Sequence, residues 1–252
     1  MDIALNIHFD TLTSDDEKVK IQFIEFLKNK QLPSSEKFTI KIHDGQVSII
    51  DTTKNKICLN FNEDLEYRRQ LKSKNTELIS KAVGSGKKSN HILDLTAGLG
   101  VDAISLVQLG YFVVSIERNP LVYLALQSAY DNWTSDLKPN LTLVFSDVMA
   151  VVQSLKQGLY VFADQNLYTV AYYDPMFPQK KKSALPRQEM VLLQKLTDED
   201  PDANDTVMKL TNSNSTEKFF KRFVVKRPLN AETRVKPSSQ LKGKMIRYDI
   251  YD

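Results

Sequence analysis

The chain has 252 residues, 42% of them hydrophobic and 26% charged, enough for one large α/β domain plus a small appendage. A net charge of +3 is too small to argue for nucleic acid by itself, so that case rests on local clusters. A lone cysteine, Cys58, excludes an intrachain disulfide framework and a cysteine-based zinc site and fits a reducing cytoplasm.

The opening Met1 to Leu5 lacks the basic-then-apolar pattern of a secretion signal. No apolar run approaches the roughly 18 residues that would suggest a membrane-spanning helix. Ser14-Asp-Asp-Glu17 reads as a capping box opening a helix, with Val19, Phe23, Ile24 and Leu27 at helical spacing and Pro33 beyond its end. Phe38–Ile42 and Gln46–Ile50 flank His43-Asp44-Gly45, a hairpin signal, and Ile57–Phe61 adds a third strand. Residues 1–62 thus form a small α+β appendage. Residues 63–86 connect it to the rest through a broken helical pattern that ends at Gly84-Ser-Gly86. Arg68 and Arg69 there read as a solvated helix face or as an RNA-phosphate contact.

From residue 87 to 252 strands alternate with helices of 10–15 residues, so the fold class is α/β. A Rossmann-like, doubly wound, mostly parallel sheet follows, with an antiparallel last strand. Ile92–Leu95 is a short buried strand broken by Thr96-Ala-Gly-Leu-Gly100, and the next helix ends at Gly110. Phe112–Glu117 is a second strand, after which Asn119 caps a helix that begins at Pro120. Leu141–Phe145 ends in Ser146-Asp147, and Val170–Tyr173 ends in Asp174-Pro-Met-Phe-Pro178. Residues 183–220 form an insertion with helical runs and an acidic loop at Asp198–Asp202. Phe223–Val225 and Met245–Tyr251 close the sheet. Trp133 and Tyr130 read as packing groups, and His8, His43 and His91 are too scattered to build a metal or acid–base site.

Ligands of such sheets bind beyond the carboxyl ends of the strands. Gly98 and Gly100 let a ligand approach the backbone, and the following helix offers its N-terminal amides and dipole. Asp94 orients this turn or approaches a sulfonium group. Glu117 can accept both hydroxyls of a ribose, and Ser146 and Asp147 suit an adenine. The site is therefore an adenosine site, and two cofactors compete for it. Gly98-Leu-Gly100-Val-Asp-Ala103 formally fits a dinucleotide fingerprint, which would make the protein an NAD(P)-dependent oxidoreductase. Asp94 to Gly100 fits the turn that holds S-adenosylmethionine, and Asp174-Pro-Met-Phe177 favours this second cofactor. It resembles the signature of amino-group methyltransferases, in which an acceptor at Asp174 holds the N–H groups of an exocyclic amine and Phe177 stacks on the base. Lys180, Lys181, Lys182 and Arg187 behind it, and Lys226 with Arg227 at the end of the next strand, read as RNA-phosphate contacts. The acidic loop opposes that reading. A non-catalytic RNA-binding protein with a vestigial pocket is the third alternative, and no metal is required by any of them.

Asp94-Leu-Thr-Ala-Gly-Leu-Gly-Val-Asp-Ala103, Glu117-Arg-Asn-Pro120, Asp174-Pro-Met-Phe-Pro178 with Lys182-Ser-Ala-Leu185, Val224-Val-Lys-Arg-Pro228 and Arg247-Tyr-Asp-Ile-Tyr251 occur in order. Over residues 76–251 the chain resembles the ribosomal RNA small-subunit methyltransferase J family. The resemblance implies methylation of the exocyclic N2 amine of a guanosine in small-subunit ribosomal RNA or the small ribosomal subunit, with S-adenosylmethionine as donor. It also implies cofactor contacts from Val101, Asp102, Glu117, Arg118, Ser146, Asp147 and Asp174, with Pro175 and Phe177 beside the reacting amine. Val101 departs from the arginine usual in the family, leaving only backbone there, and Asp147 replaces a smaller hydroxyl residue.

Overall fold

The computed structural model describes residues 7–11, 13–28, 30, 37–62, 74–84, 91–157, 170–175, 188–197, 203–211 and 220–252. Its first unit is a four-stranded sheet in the order β1 (Ile7–Thr11), β2 (Phe38–His43), β3 (Gln46–Asp51), β4 (Lys56–Cys58), with α1 (Ser14–Leu27) between the first two strands. The capping box starts one residue earlier than the sequence pattern suggests. Thr13 Oγ1 accepts from the Asp16 amide at 3.1 Å, and the Asp16 carboxylate accepts from the Thr13 amide at 3.1 Å. Glu17 instead accepts from Thr11 and Lys20. Asp16 gains from the shift, because its other oxygen accepts from the Gly45 amide at 3.0 Å and ties the helix to the hairpin. Asp44 and Gly45 both take the left-handed conformation, φ 49° and 71°, that a two-residue hairpin turn requires. β1 has no counterpart in the sequence reading. It is a short edge strand whose parallel pairing with β2 depends on residues 31 positions away, as in Ile7↔Phe38, and local pattern carries no trace of that.

The larger unit starts with α2 (Lys74–Val83) and continues β5 (His91–Asp94), α3 (Val101–Gln108), β6 (Phe112–Glu117), α4 (Pro120–Asp131), β7 (Leu141–Phe145), α5 (Val148–Lys156) and β8 (Val170–Tyr173). α6 (Gln188–Thr197), α7 (Ala203–Thr211), β9 (Arg222–Pro228), β10 (Ser239–Lys242) and β11 (Ile246–Tyr251) complete it. Seven strands lie in the order β10-β11-β9-β8-β5-β6-β7. β9, β8, β5, β6 and β7 are parallel, whereas β11 runs antiparallel to β9 and β10 to β11. The alternation along each strand divides two cores: Ile92, Val113, Tyr172 and Val224 pack with α2, α3 and α4, and Leu93, Ile116, Tyr173 and Val225 pack with α5 and α7. Asn119 caps α4 as expected, its Oδ1 accepting from the amides of Leu121 and Val122, and Pro120 follows at the first turn. Chain order reverses between β5 and β8, which places a crevice at their carboxyl ends.

The small sheet packs on this framework through α4 and α6. Ser128 of α4 accepts from the Val47 amide at 2.8 Å and donates to the Gly45 carbonyl at 3.0 Å. From α6, Lys195 reaches the buried Asp51 at 2.6 Å. Burial would raise the Asp51 pKa, but hydrogen bonds from Asn55, Lys195 and Thr53 outweigh it and hold the carboxyl well below its ordinary range. The N-terminal sheet thus fixes α6, which forms a wall of the crevice described next.

Candidate active site

A cavity of about 250 Å³ opens at the reversal point between β5 and β8. Thr96 to Leu99, Val101, Asp102, Glu117, Arg118, Ser146, Asp147, Asp174 and Pro175 line it, so most of the sequence-predicted cofactor residues converge there. Met190, Leu193 and Thr197 of α6 and Thr206 of α7 also line it, and no periodicity or motif in the sequence points to them.

On the β5–β6 side the carboxylates are held mostly by backbone. Asp94 is 1% exposed and does not line the cavity. It accepts from the Thr96 amide at 3.1 Å and from the Ser115 hydroxyl. Burial pushes its pKa up to about 7 against those two hydrogen bonds. Asp94 thus sits behind the turn and bonds its backbone, the position of an orienting group. Glu117 does line the cavity, with Oε1 accepting from the Asn119 amide at 2.7 Å and Oε2 from the Gly98 amide at 2.9 Å. Burial likewise raises it to about 7. With the Arg118 amide as a third donor, the carboxylate still keeps acceptor capacity for a ligand.

The two glycines divide the work that the sequence pattern assigns to them jointly. Gly98 has φ +52° and a Cβ there would meet nothing within 4 Å, so its open side belongs to the crevice. Gly100 stands between Leu99 and Val101, which line the cavity, but is not itself part of the lining. It caps α3 at φ +75°, and a Cβ there would meet Leu126 at 3.0 Å and Phe61 at 3.3 Å, so packing is what demands glycine. Asp147 caps α5, its Oδ1 accepting from the Met149 amide at 2.8 Å, while Ser146 sits beside it on the cavity wall.

On the β8–β9 side the carboxylates are held by side chains from distant elements. The Asp174 amide donates to Thr96 Oγ1 at 2.7 Å, which joins the two halves. Lys226 Nζ lies 2.6 Å from Asp102 Oδ2 and 2.8 Å from Asp174 Oδ2. The Tyr172 hydroxyl donates to the same Asp102 oxygen at 2.7 Å. Register explains the cluster: Asp94 pairs with Tyr172, Tyr172 with Val224, and Lys226 with Tyr248, so all these side chains share the face that α3 covers with Asp102. Burial pushes the Asp174 pKa up to about 6, with Lys226 opposing the rise and Asp102 adding to it. Burial alone would lower Lys226, but the facing Asp174 and Asp102 carboxylates hold it well above its ordinary value.

Two expectations are corrected here. Lys226 is a member of the cavity floor, engaged with two carboxylates, and its ammonium is not offered to an RNA phosphate. Arg227 points to the opposite face, 1% exposed, 3.1 Å from Asp249 and bonded to Asn204, so it braces the strands. The alternation of a strand puts neighbours on opposite faces, which a paired basic motif conceals. Phe177, Lys180, Lys181, Lys182 and Arg187 lie outside the described residues, as do Arg68, Arg69 and the acidic loop. Among the described residues no group of His, Cys, Asp or Glu could hold a metal ion, and no helix is long and apolar enough to cross a membrane.

The donor set fits an adenosyl group with a cationic tail. Glu117 presents acceptor lone pairs beside the open face of Gly98, apolar Leu95, Ile116 and Val148 line the walls, and two carboxylates share one ammonium. The surplus negative charge suits a positive ligand.

Comparison with known proteins agrees with that chemistry. The family model of SAM-dependent methyltransferases matches residues 25–252, which makes S-adenosylmethionine the cofactor and sets aside the dinucleotide. The ribosomal RNA small subunit methyltransferase J of Bdellovibrio bacteriovorus is 35% identical over 236 residues, 92% of this chain and 89% of that protein. Its namesake in Alteromonas mediterranea is 35% identical over 229 residues, 86% of this chain and 83% of that one. The namesake in Francisella tularensis subsp. novicida is 31% identical over 235 residues, 90% of this chain and 89% of that protein. A crystallised SAM-dependent methyltransferase from Neisseria gonorrhoeae covers 97% of this chain and 94% of its own at 23% identity and a TM-score of 0.66, which shows the same fold.

Proposed function

Because the chain belongs to the ribosomal RNA small subunit methyltransferase J family, we infer that it methylates the exocyclic N2 amine of a guanosine in small-subunit ribosomal RNA. The observation that carries this reading is the Asp174 carboxylate, which ends β8 at the mouth of the cofactor cavity with its amide pinned to Thr96. When bound, S-adenosylmethionine supplies an electrophilic methyl group on a sulfonium. An amine conjugated to a purine ring is a weak nucleophile, because its lone pair is delocalised. Asp174 accepts an N–H of that amine, turns the lone pair out of the ring plane, and stands where the departing proton can go as the N–C bond forms. The methyl–sulfur bond breaks in the same step, its electron pair staying on a neutral thioether. Pro175 fixes the backbone after it, and Phe177 stacks on the base. Glu117 takes the ribose hydroxyls, Ser146 and Asp147 take the adenine, and Val101, Asp102 and Arg118 complete the cofactor wall. Positioning of this kind supplies several kcal/mol of rate acceleration without a metal.

The surroundings suit a phosphodiester substrate. The turn between β10 and β11 lies on the same edge of the sheet as Asp174, since Ile246 pairs with Pro228 at the end of β9. It presents exposed Lys242 and Lys244 on either side of Gly243, followed by Met245, which is 65% exposed. Lys180, Lys181, Lys182 and Arg187, which follow Asp174 in sequence, are further proposed contacts for RNA phosphate. A ribosomal substrate implies a cytoplasmic protein.

The test is transfer of labelled methyl groups to undermodified small-subunit RNA and to assembled particles, followed by digestion to nucleosides. Label in N2-methylguanosine is expected. Label in another nucleoside would overturn the position, and no transfer at all would leave the RNA-binding reading.

A further inference from the structure

We propose that Lys226 is a positioning residue for this methyl transfer: its ammonium clamps Asp174 Oδ2 and Asp102 Oδ2 and leaves Asp174 Oδ1 to accept the amine. The inference rests on the reading in the preceding subsection, and it assigns a role to a residue that does not itself touch the reacting atoms. Geometry carries it. One half-buried ammonium spans 2.8 Å to Asp174 and 2.6 Å to Asp102, from a strand next to the one that Asp174 ends.

A free carboxylate at the end of a strand rotates about its side-chain torsions, and either oxygen can face the cavity. A charge-assisted hydrogen bond to one oxygen selects a single orientation. Lys226 is itself oriented from two sides, because Asp102 on α3 receives both its ammonium and the Tyr172 hydroxyl. Without the lysine, the charged groups that face Asp174 among the described residues are the carboxylates of Asp102 on α3 and Asp94 on β5, beside the neutral hydroxyls of Tyr172 on β8 and Tyr248 on β11. Each carboxylate favours a proton on Asp174, and a protonated Asp174 loses acceptor strength. Lys226 therefore fixes both the direction and the charge of the acceptor.

The experiment compares wild type with Lys226→Met, which keeps the length of the stem and removes the charge. Asp102→Asn/Lys226→Met, which removes anion and cation together, serves where the single variant does not fold. Three readouts are taken: kcat against pH, Kd for S-adenosylhomocysteine, and the midpoint of the Asp174 carboxyl titration by 13C NMR, assigned by its absence in Asp174→Asn. For Lys226→Met, kcat at pH 7 is expected to fall on the order of tenfold or more while Kd for the product, which lacks the sulfonium charge, moves by about threefold or less. The acidic limb of the rate profile and the Asp174 midpoint are both expected to rise by about one unit. In the double variant the midpoint rises less, because Lys226 acts on Asp174 more strongly than Asp102 does. An unmoved midpoint in both variants overturns the proposal, even if kcat falls, since a merely structural lysine would lower activity without shifting that titration. Failure of the wild type to methylate guanosine would overturn the functional reading alone, because the carboxyl titration needs no RNA.

Discussion

The two halves of the crevice hold their carboxylates in opposite ways. On the β5–β6 side, Glu117 and Asp94 are anchored by amides within a few residues or one strand away: Asn119, Gly98 and Thr96. On the β8–β9 side, Asp174 and Asp102 are anchored by Lys226 and Tyr172, which lie 52 and 70 positions away along the chain. Backbone anchoring gives a rigid receptor for a constant ligand. Side-chain anchoring gives a charge balance that can be tuned around a reacting atom. The division predicts that the first half governs cofactor affinity and the second governs turnover.

The largest expected effect breaks the second half. Asp174→Ala should lower kcat on the order of 10²–10³-fold or more, with Kd for S-adenosylhomocysteine changed by less than about tenfold. Calorimetry beside single-turnover kinetics checks it, and equal loss in both would make Asp174 chiefly a cofactor ligand.

A smaller effect should come from the first half. Glu117 sits near pKa 7 in the free protein because burial disfavours its charge, and ribose hydroxyls bind best to the ionised form. Affinity for S-adenosylhomocysteine should therefore rise as pH increases through about 7 and level off above it, since below that value binding must expel a proton. Glu117→Gln should weaken binding on the order of tenfold at pH 8 and flatten this dependence, leaving the smaller contributions of Asp94 and Asp174. A wild-type Kd that is constant from pH 5.5 to 8.5 (roughly the span over which such groups titrate) would defeat the assignment.

The smallest effect concerns the rim. Lys242→Gln/Lys244→Gln should weaken RNA binding several-fold, with kcat unchanged at saturating RNA. It should also reduce the slope of log K against log salt by about two, one for each phosphate that a lysine no longer neutralises. Filter binding across a salt series reads this directly, and an unchanged slope would remove the turn from the RNA footprint.

Legibility follows the same division. The turn after β5, the acid ending β6, the cap and proline opening α4 and the Asp174 turn are all readable in the sequence, because each depends on neighbours within a few residues. Lys226 and Arg227 read there as one basic pair, since only the register of β9 against β11 shows that one faces the cavity and the other Asp249. Gly100 reads as a ligand neighbour and belongs to packing, because the side chains that crowd it come from α4 and from Phe61. β1 leaves no local signal, and α6 is legible only as a helical run, not as a wall of the cavity.

By itself, then, the sequence determined most of the elements, their alternation and the acids and glycines at strand ends. These follow from hydrophobic period, caps and turn chemistry, which act over one or two turns of chain. Only the tertiary structure decided which of those groups meet. The pairing of Lys226 with Asp102 and Asp174, the burial that lifts Asp94, Glu117 and Asp174 toward neutral pKa values, and the seating of α6 against the N-terminal sheet all arise from strand register and desolvation. Both are properties of contacts between residues far apart in the chain.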